Sequence, residues 1–140
     1  MSRVRGWRRL AALHDRIEDH IERALQRAHG LSVNEYCVLH LLSEQDQSGK
    51  HYRMQQVSEA VVLSQSATTR LVNRLEDRGL LSRYLCPDDR RGIYADVTDA
   101  GRELHDDARP THDEALENAL QEAAKDPQYA ALVDSLETLS

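Results

Sequence analysis

Residues 88–92 read DDRRG, two carboxylates directly before two guanidinium groups and a glycine. Guanidinium groups suit phosphates and the narrow, strongly negative minor groove of DNA. Asp89 is two residues from Arg91, so its carboxylate is able to accept the Arg91 N–H groups and fix their direction. Arg90 would then face a phosphate, and Gly92 would let the backbone turn and approach closely. The simpler alternative is a polar turn with a weak surface ion pair.

A second polar cluster begins a predicted helix that Ser64 would cap. Ala67, Leu71 and Leu75 follow at i, i+4 and i+8 and would face the core. Glutamine is able to pair bidentately with adenine and arginine with guanine, while serine and threonine serve bases or phosphates. The alternative is an ordinary solvated helix face. The candidate base-reading residues are Ser64, Gln65, Ser66, Thr68, Thr69 and Arg70.

Charge is distributed unevenly along a chain whose net charge is -6. Residues 50–91 hold eight bases and five acids, a net of +3, whereas residues 99–140 hold three bases and eleven acids, a net of -8. A local excess of arginine of this kind predicts one basic face in the middle of the chain. The candidate contacts to a DNA backbone are Arg53, Arg74, Arg83 and Arg90.

Composition favours a helical protein, because hydrophobic residues make up 40% of the 140 residues and aromatic residues only 4%. No apolar run approaches the ~20 residues that span a bilayer. The basic start leads into a charged helix and not into an apolar signal segment, so we expect a cytoplasmic protein. Two cysteines 49 positions apart form neither a disulfide framework nor a zinc motif, and we expect no cofactor.

The predicted elements follow a definite order. Two helices come first, one over 7–28 and one from Ser32, which would form a capping box with Glu35. A helix–turn–helix follows, with Gly79 at the end of its second helix, and EQDQSGK reads as a loop. The segments LLSRYLC and IYADVT read as two strands joined by PDDRRG. Thr98 would cap a long helix in which Pro110 predicts a kink or break, because proline lacks the backbone N–H. A last helix covers 127–139.

This order predicts a mainly α fold with a small β-hairpin wing, a winged helix–turn–helix. We expect a single domain over 1–140, with a DNA-binding lobe at 50–98 and dimerisation helices at 1–30 and 99–140. The terminal helices carry aliphatic stripes that one small lobe is too small to cover. A twofold dimer would bury them and provide two reading heads for a palindrome.

The stretch VLSQSATTRLVNRLEDRGLLSRYLCPDDRRGIYADVTDAGREL, residues 62–104, resembles the multiple-antibiotic-resistance regulator (MarR) family. The resemblance implies a homodimeric transcription factor, usually a repressor, on a palindromic double-stranded DNA operator. It implies that the helix from Ser64 enters the major groove and that Arg91, steadied by Asp89, enters the minor groove. It also implies release of DNA by a small, often aromatic or phenolic, anion.

Other readings of the sequence stay open. Oxidation of Cys86 at the base of the wing would make a redox sensor, whereas Cys37 is expected to be buried. A metal-responsive regulator would draw on His14, His20, His105 and His112. A winged helix that serves only protein interactions is a further alternative. An enzyme is not expected, because the chain lacks a glycine-rich phosphate loop, a G-x-S-x-G elbow and an HExxH motif.

Overall fold

The computed structural model describes residues 2–48, 51–86 and 89–140, without the side chains of 46–48, 86 and 89–91. Within them the mainly α fold with a small wing is confirmed, and none of the helices is long and apolar enough to cross a membrane. The elements are α1 (Ser2–His29), α2 (Val33–Ser48), β1 (Tyr52–Arg53), α3 (Met54–Ala60), α4 (Gln65–Asp77), β2 (Leu81–Cys86), β3 (Asp89–Val97), α5 (Asp99–Ala124), α6 (Pro127–Ser135) and a 3-10 turn (Leu136–Leu139).

The chain forms two compact units. The first unit contains residues 1–30 and 110–140, and the second contains residues 31–109. The second unit therefore groups α2 and the start of α5 with the lobe expected at 50–98, and the domain boundaries drawn from the sequence stay a prediction. The core of the first unit includes Leu13 of α1, Ala123 of α5 and Tyr129 of α6.

The α2 helix begins with the predicted capping box and ends later than predicted. The backbone N–H of Glu35 donates to Ser32 Oγ, and the N–H of Ser32 donates to Glu35 Oε1, both at 3.0 Å. Helix continues to Ser48, so the prediction of a loop was wrong for residues 44–48, and residues 49 and 50 lie outside the described part of the chain. Gln45 explains the difference. Its side chain is 2% exposed and its Nε2 donates to Ala95 O at 2.9 Å, which fixes this polar end of the helix against β3.

A three-stranded antiparallel sheet of order β1–β3–β2 forms the wing, and the short β1 was not predicted. Asp89–Val97 is strand, so the expectation that PDDRRG is entirely loop was wrong for residues 89–92. Leu85 pairs with Ile93 while Cys86 pairs with Asp89, a shift that leaves residues 90–92 in an irregularity of β3. Such bulges turn side chains and sharpen the local twist.

The α5 helix packs closely on the end of α4. Thr98 caps it as predicted, because its Oγ1 accepts from Gly101 N at 3.1 Å and donates to Gly79 O at 2.7 Å. A Cβ placed on Gly101 would lie 1.9 Å from Leu80 O, so only glycine fits there. Helix continues through Pro110, so the predicted break does not occur, while a kink at this residue stays a prediction. Proline removes one intrahelical hydrogen bond, which the remaining turns of this 26-residue helix tolerate.

Candidate nucleic-acid interface

The α4 helix presents a polar face because its other face is fixed in the core. Ser64 is the N-cap, with extended backbone, and its Oγ accepts from Ala67 N at 3.2 Å. Leu71, Val72 and Leu75 are buried. Burial of three aliphatic side chains leaves the helix little freedom to rotate, so the direction of its outer face is set by the core.

The outer face carries the predicted reading residues. Gln65, Ser66, Thr69 and Arg70 are all exposed. The Thr69 hydroxyl donates to Gln65 O at 2.9 Å, which leaves its oxygen lone pairs as acceptors. These side chains therefore offer donors and acceptors at the N-terminal end of the helix. That is the end at which recognition helices of this motif reach base edges.

Thr68 does not belong to this face. Its side chain is 0% exposed, and its hydroxyl donates to Ser64 O at 2.9 Å. Its assignment to the base-reading group is therefore corrected, because a buried side chain cannot reach a base edge. The sequence contained the signal, since Thr68 precedes buried Leu71 and Val72 by three and four positions, the spacing of neighbours on one helical face.

The turn between α3 and α4 contains a strained residue that the sequence did not reveal. Val62 has a φ of 56° and a side chain that is 86% exposed. A β-branched residue in the left-handed region is a conformational outlier. The turn is nevertheless closed by backbone hydrogen bonds, from Val62 N to Glu59 O at 3.4 Å and from Leu63 N to Ser58 O at 3.1 Å.

The predicted backbone-contacting arginines have different surroundings. Arg74 of α4 is exposed. Arg83 of β2 is held by Glu76 of α4, with Nη2 2.8 Å from Oε1. The hydrogen bond with Arg83 lowers the pKa of Glu76, and the same bond raises the pKa of Arg83. Arg83 therefore joins the wing to α4 and is less available to a phosphate than Arg74.

The side chains of Asp89, Arg90 and Arg91 lie outside the described residues, so their predicted roles stay predictions. Gly92 is described, and it does not adopt the positive φ of Gly30 and Gly79. Its expected role in letting the backbone turn and approach closely stays a prediction. The Arg53 side chain occupies the space that a side chain at residue 92 would need, with Arg53 Cδ 3.0 Å from a Cβ placed on Gly92.

The sensing alternatives receive no support from the described residues. Cys37 is half-buried on α2 and not fully buried as expected, and the Cys86 side chain lies outside the description. No group of three or more His, Cys, Asp or Glu among the described side chains has the arrangement of a metal site. His105 is buried at 4% exposure beside His40, and His112 contacts Asp113 at 2.9 Å.

Comparison with known proteins places these features in a family. Residues 29–92 match the model of the MarR family. The chain is 32% identical over 103 residues to the HTH-type transcriptional regulator MhqR of Bacillus subtilis (strain 168), a match that covers 74% of this chain and 68% of MhqR.

Two solved structures are also similar. Sco3205, a MarR family transcriptional regulator from Streptomyces coelicolor solved in complex with DNA, is 29% identical with a TM-score of 0.77, over 95% of this chain and 85% of Sco3205. CouR from Rhodococcus jostii RHA1, bound to p-coumaroyl-CoA, is 35% identical with a TM-score of 0.67, over 76% of this chain and 71% of CouR.

Proposed function

This chain belongs to the MarR family of transcriptional regulators, which are not enzymes, and from that premise we propose that it is a homodimeric repressor that reads a palindromic operator through α4. The observation that carries the proposal is the division of α4 into a buried aliphatic face and an exposed face bearing Gln65, Ser66, Thr69 and Arg70. A helix fixed in this way presents the same donors and acceptors to every base pair it meets, which direct readout in the major groove requires.

The proposed wing contact supplements this readout. Arg91 would enter the minor groove, with Asp89 holding its guanidinium in place and Arg90 facing a phosphate. The antiparallel pairing of β2 and β3 supports the proposal, because residues 90–92 lie between the paired positions Asp89 and Ile93 of a hairpin. Arg74 would contact a phosphate beside the major groove, since its exposed side chain lies one turn along α4 from Arg70.

Exposed apolar side chains in the first unit support dimerisation. Val4, Trp7 and Leu10 lie at intervals of three on α1, and Trp7 is 67% exposed. An apolar groove of about 320 Å³ lies in the same unit between α1, α5 and α6. A second copy of the chain would cover this surface, and a twofold dimer matches the symmetry of a palindrome.

The acidic excess of residues 99–140 supports the same arrangement. Arg3, Arg5, Arg8 and Arg9 at the start of α1 are exposed cations beside the Val4–Trp7–Leu10 stripe. A partner subunit whose α5 and α6 are acidic offers complementary charge to that basic stretch. Burial of the apolar side chains would supply the affinity of the dimer. The charges would direct the basic start of each α1 helix to the acidic α5 and α6 of the partner subunit.

The proposal also includes release from DNA by a small anionic, aromatic effector. The protein would act on DNA in the cytoplasm. The CouR structure, bound to p-coumaroyl-CoA, supports an effector of this class. A ligand that binds the DNA-free form more tightly than the DNA-bound form would lower operator affinity by the ratio of its two affinities.

Footprinting of the full chain on the DNA upstream of its own coding sequence tests the function. We expect protection of two half-sites about one helical turn apart, at protein concentrations that leave random duplex unprotected. Equal protection of random and upstream DNA at every concentration would contradict the proposal. Repetition with phenolic carboxylates and their CoA thioesters tests release by an effector.

A further inference from the structure

Arg53 begins α3 in a way that leaves its side chain unused for capping. It is the N-cap residue, where Ser, Thr, Asp or Asn is preferred because their oxygens accept from the first helical N–H groups. A guanidinium carries no acceptor, so it cannot do this. Gln56 supplies the other half of the cap, since its Oε1 accepts from Arg53 N at 2.9 Å. The stem of Arg53 is therefore free to extend elsewhere.

The sheet register directs that stem toward the wing. Arg53 pairs with Tyr94 across the β1–β3 ladder. Gly92 is two residues from Tyr94 along β3, the diagonal spacing that long side chains reach. Distances from a Cβ placed on Gly92 to the Arg53 stem fall from 3.9 Å at Cβ to 3.5 Å at Cγ and 3.0 Å at Cδ. The side chain thus runs over Gly92.

No carboxylate among the described side chains forms an ion pair with Arg53. We propose that Gly92 is a positioning residue for Arg53, which it allows to lie across β3 and carry a phosphate-binding cation from the start of α3 onto the wing. The inference rests on the proposed function, because the phosphate is that of the bound DNA. It adds a contact that ties the helix–turn–helix and the wing to one stretch of backbone.

A side chain at residue 92 would displace Arg53. Carbon atoms pack at about 3.5–4.0 Å, so a methyl group 3.0 Å from Arg53 Cδ forces the arginine aside. Because the displaced group is a flexible side chain, the change alters the direction of the cation while the fold stays intact. The Gly92→Ala variant therefore acts on DNA binding through Arg53 and leaves the free energy of unfolding nearly unchanged.

A double-mutant cycle tests this coupling. The wild type, Arg53→Ala, Gly92→Ala and the double variant are titrated as full chains onto a duplex selected from random DNA, over a series of salt concentrations. Loss of one phosphate contact lowers the salt slope by about 1 and weakens binding about fivefold near 0.15 M salt. We expect the full loss in Arg53→Ala and a smaller loss in Gly92→Ala, because the methyl group shifts the Arg53 side chain without removing its charge. The double variant should lose no more than Arg53→Ala alone.

Two controls separate the possible failures. Arg53→Lys keeps the charge and should keep the salt slope, and thermal unfolding of Gly92→Ala should match that of the wild type. An equal loss from Gly92→Ala in the presence and absence of Arg53 would overturn the inference, as would full affinity in both single variants. A wild-type chain that selects no duplex would instead contradict the proposed function and leave the Gly92–Arg53 contact as a packing feature.

Discussion

His40 Nδ1 of α2 lies 2.8 Å from His105 Nε2 of α5, within the second unit. The outer nitrogens of the pair also have partners, Glu44 at 3.2 Å from His40 Nε2 and Asp106 at 3.2 Å from His105 Nδ1. Two neutral imidazoles hold two N–H groups for these three contacts, so one contact lacks a proton. Protonation of both rings would set two N–H donors face to face across the 2.8 Å contact.

The pair predicts a stability that depends on pH. Burial is the main cause that lowers the pKa of His105, and the charges of His40 and Arg109 act in the same direction, while Asp106 opposes them. An unfolded chain takes up this proton as pH falls through ~6.5, but the folded chain resists it. The contribution is therefore complete above that pH and is lost as pH falls toward the lower folded pKa.

Urea unfolding between about pH 7.5 and about pH 5.5 measures this effect. His105→Gln should flatten the decline in unfolding free energy toward acid pH, by at most about 1.4 kcal/mol per pH unit for one proton. A His105→Gln variant with the wild-type pH dependence would show that this histidine titrates alike in both states.

Gly101 should be intolerant of a methyl group. In Gly101→Ala the new Cβ meets Leu80 O at 1.9 Å, a backbone atom that cannot swing aside. We expect a loss of about 1–3 kcal/mol in the free energy of unfolding, the range for overpacking. Gly6→Ala is the matched control, because its Cβ meets nothing within 4 Å and alanine in a helix stabilises by about 0.5–1 kcal/mol. Equal stability of the two variants would refute the close approach.

Association should depend on the apolar stripe of α1. Trp7→Glu places a charge in the proposed interface. We expect the free energy of dimerisation to weaken by about 2 kcal/mol or more, which raises the dimer dissociation constant roughly 30-fold. Sedimentation equilibrium measures it. Leu85→Ser, at an exposed leucine of the second unit, is the control and should leave association unchanged. A wild-type chain that sediments as a monomer at micromolar concentration would contradict the proposed dimer.

Asp89 distinguishes a guided arginine from simple electrostatics. Removal of its charge in Asp89→Ala should tighten DNA binding if only net charge matters. If Asp89 holds Arg91 in the direction of the minor groove, the same change weakens binding. We expect weaker binding at physiological salt, measured by fluorescence anisotropy with the dimer intact. Tighter binding by Asp89→Ala would leave DDRRG as a polar turn.

Signals between neighbouring residues made much of the fold predictable. The Ser32–Glu35 box, the Ser64 cap and the Gly79 helix end all rest on residues within a few positions, and each occurs as expected. Their geometry is decided by local hydrogen bonds, so no knowledge of distant contacts is needed.

Contacts between distant residues account for what the sequence did not reveal. Gln45 holds the end of α2 by bonding to β3, 50 positions away. His40 and His105 are 65 positions apart, and Gly92 lies beside Arg53 only because β1 pairs with β3. The polar residues of EQDQSGK and the glycine of DDRRG predicted loops, because composition does not show which backbone segments pair with each other.

Readout of bases by α4 is the central claim, and the ratio of specific to random DNA affinity tests it most directly. Gln65→Ala and Arg70→Ala should each lose about 1–3 kcal/mol on the selected duplex and far less on random duplex, so the ratio falls. Gln121→Ala, an exposed glutamine of α5, is the control and should keep the wild-type ratio. An unchanged ratio in both α4 variants would contradict the account, because the helix would then not be the reader.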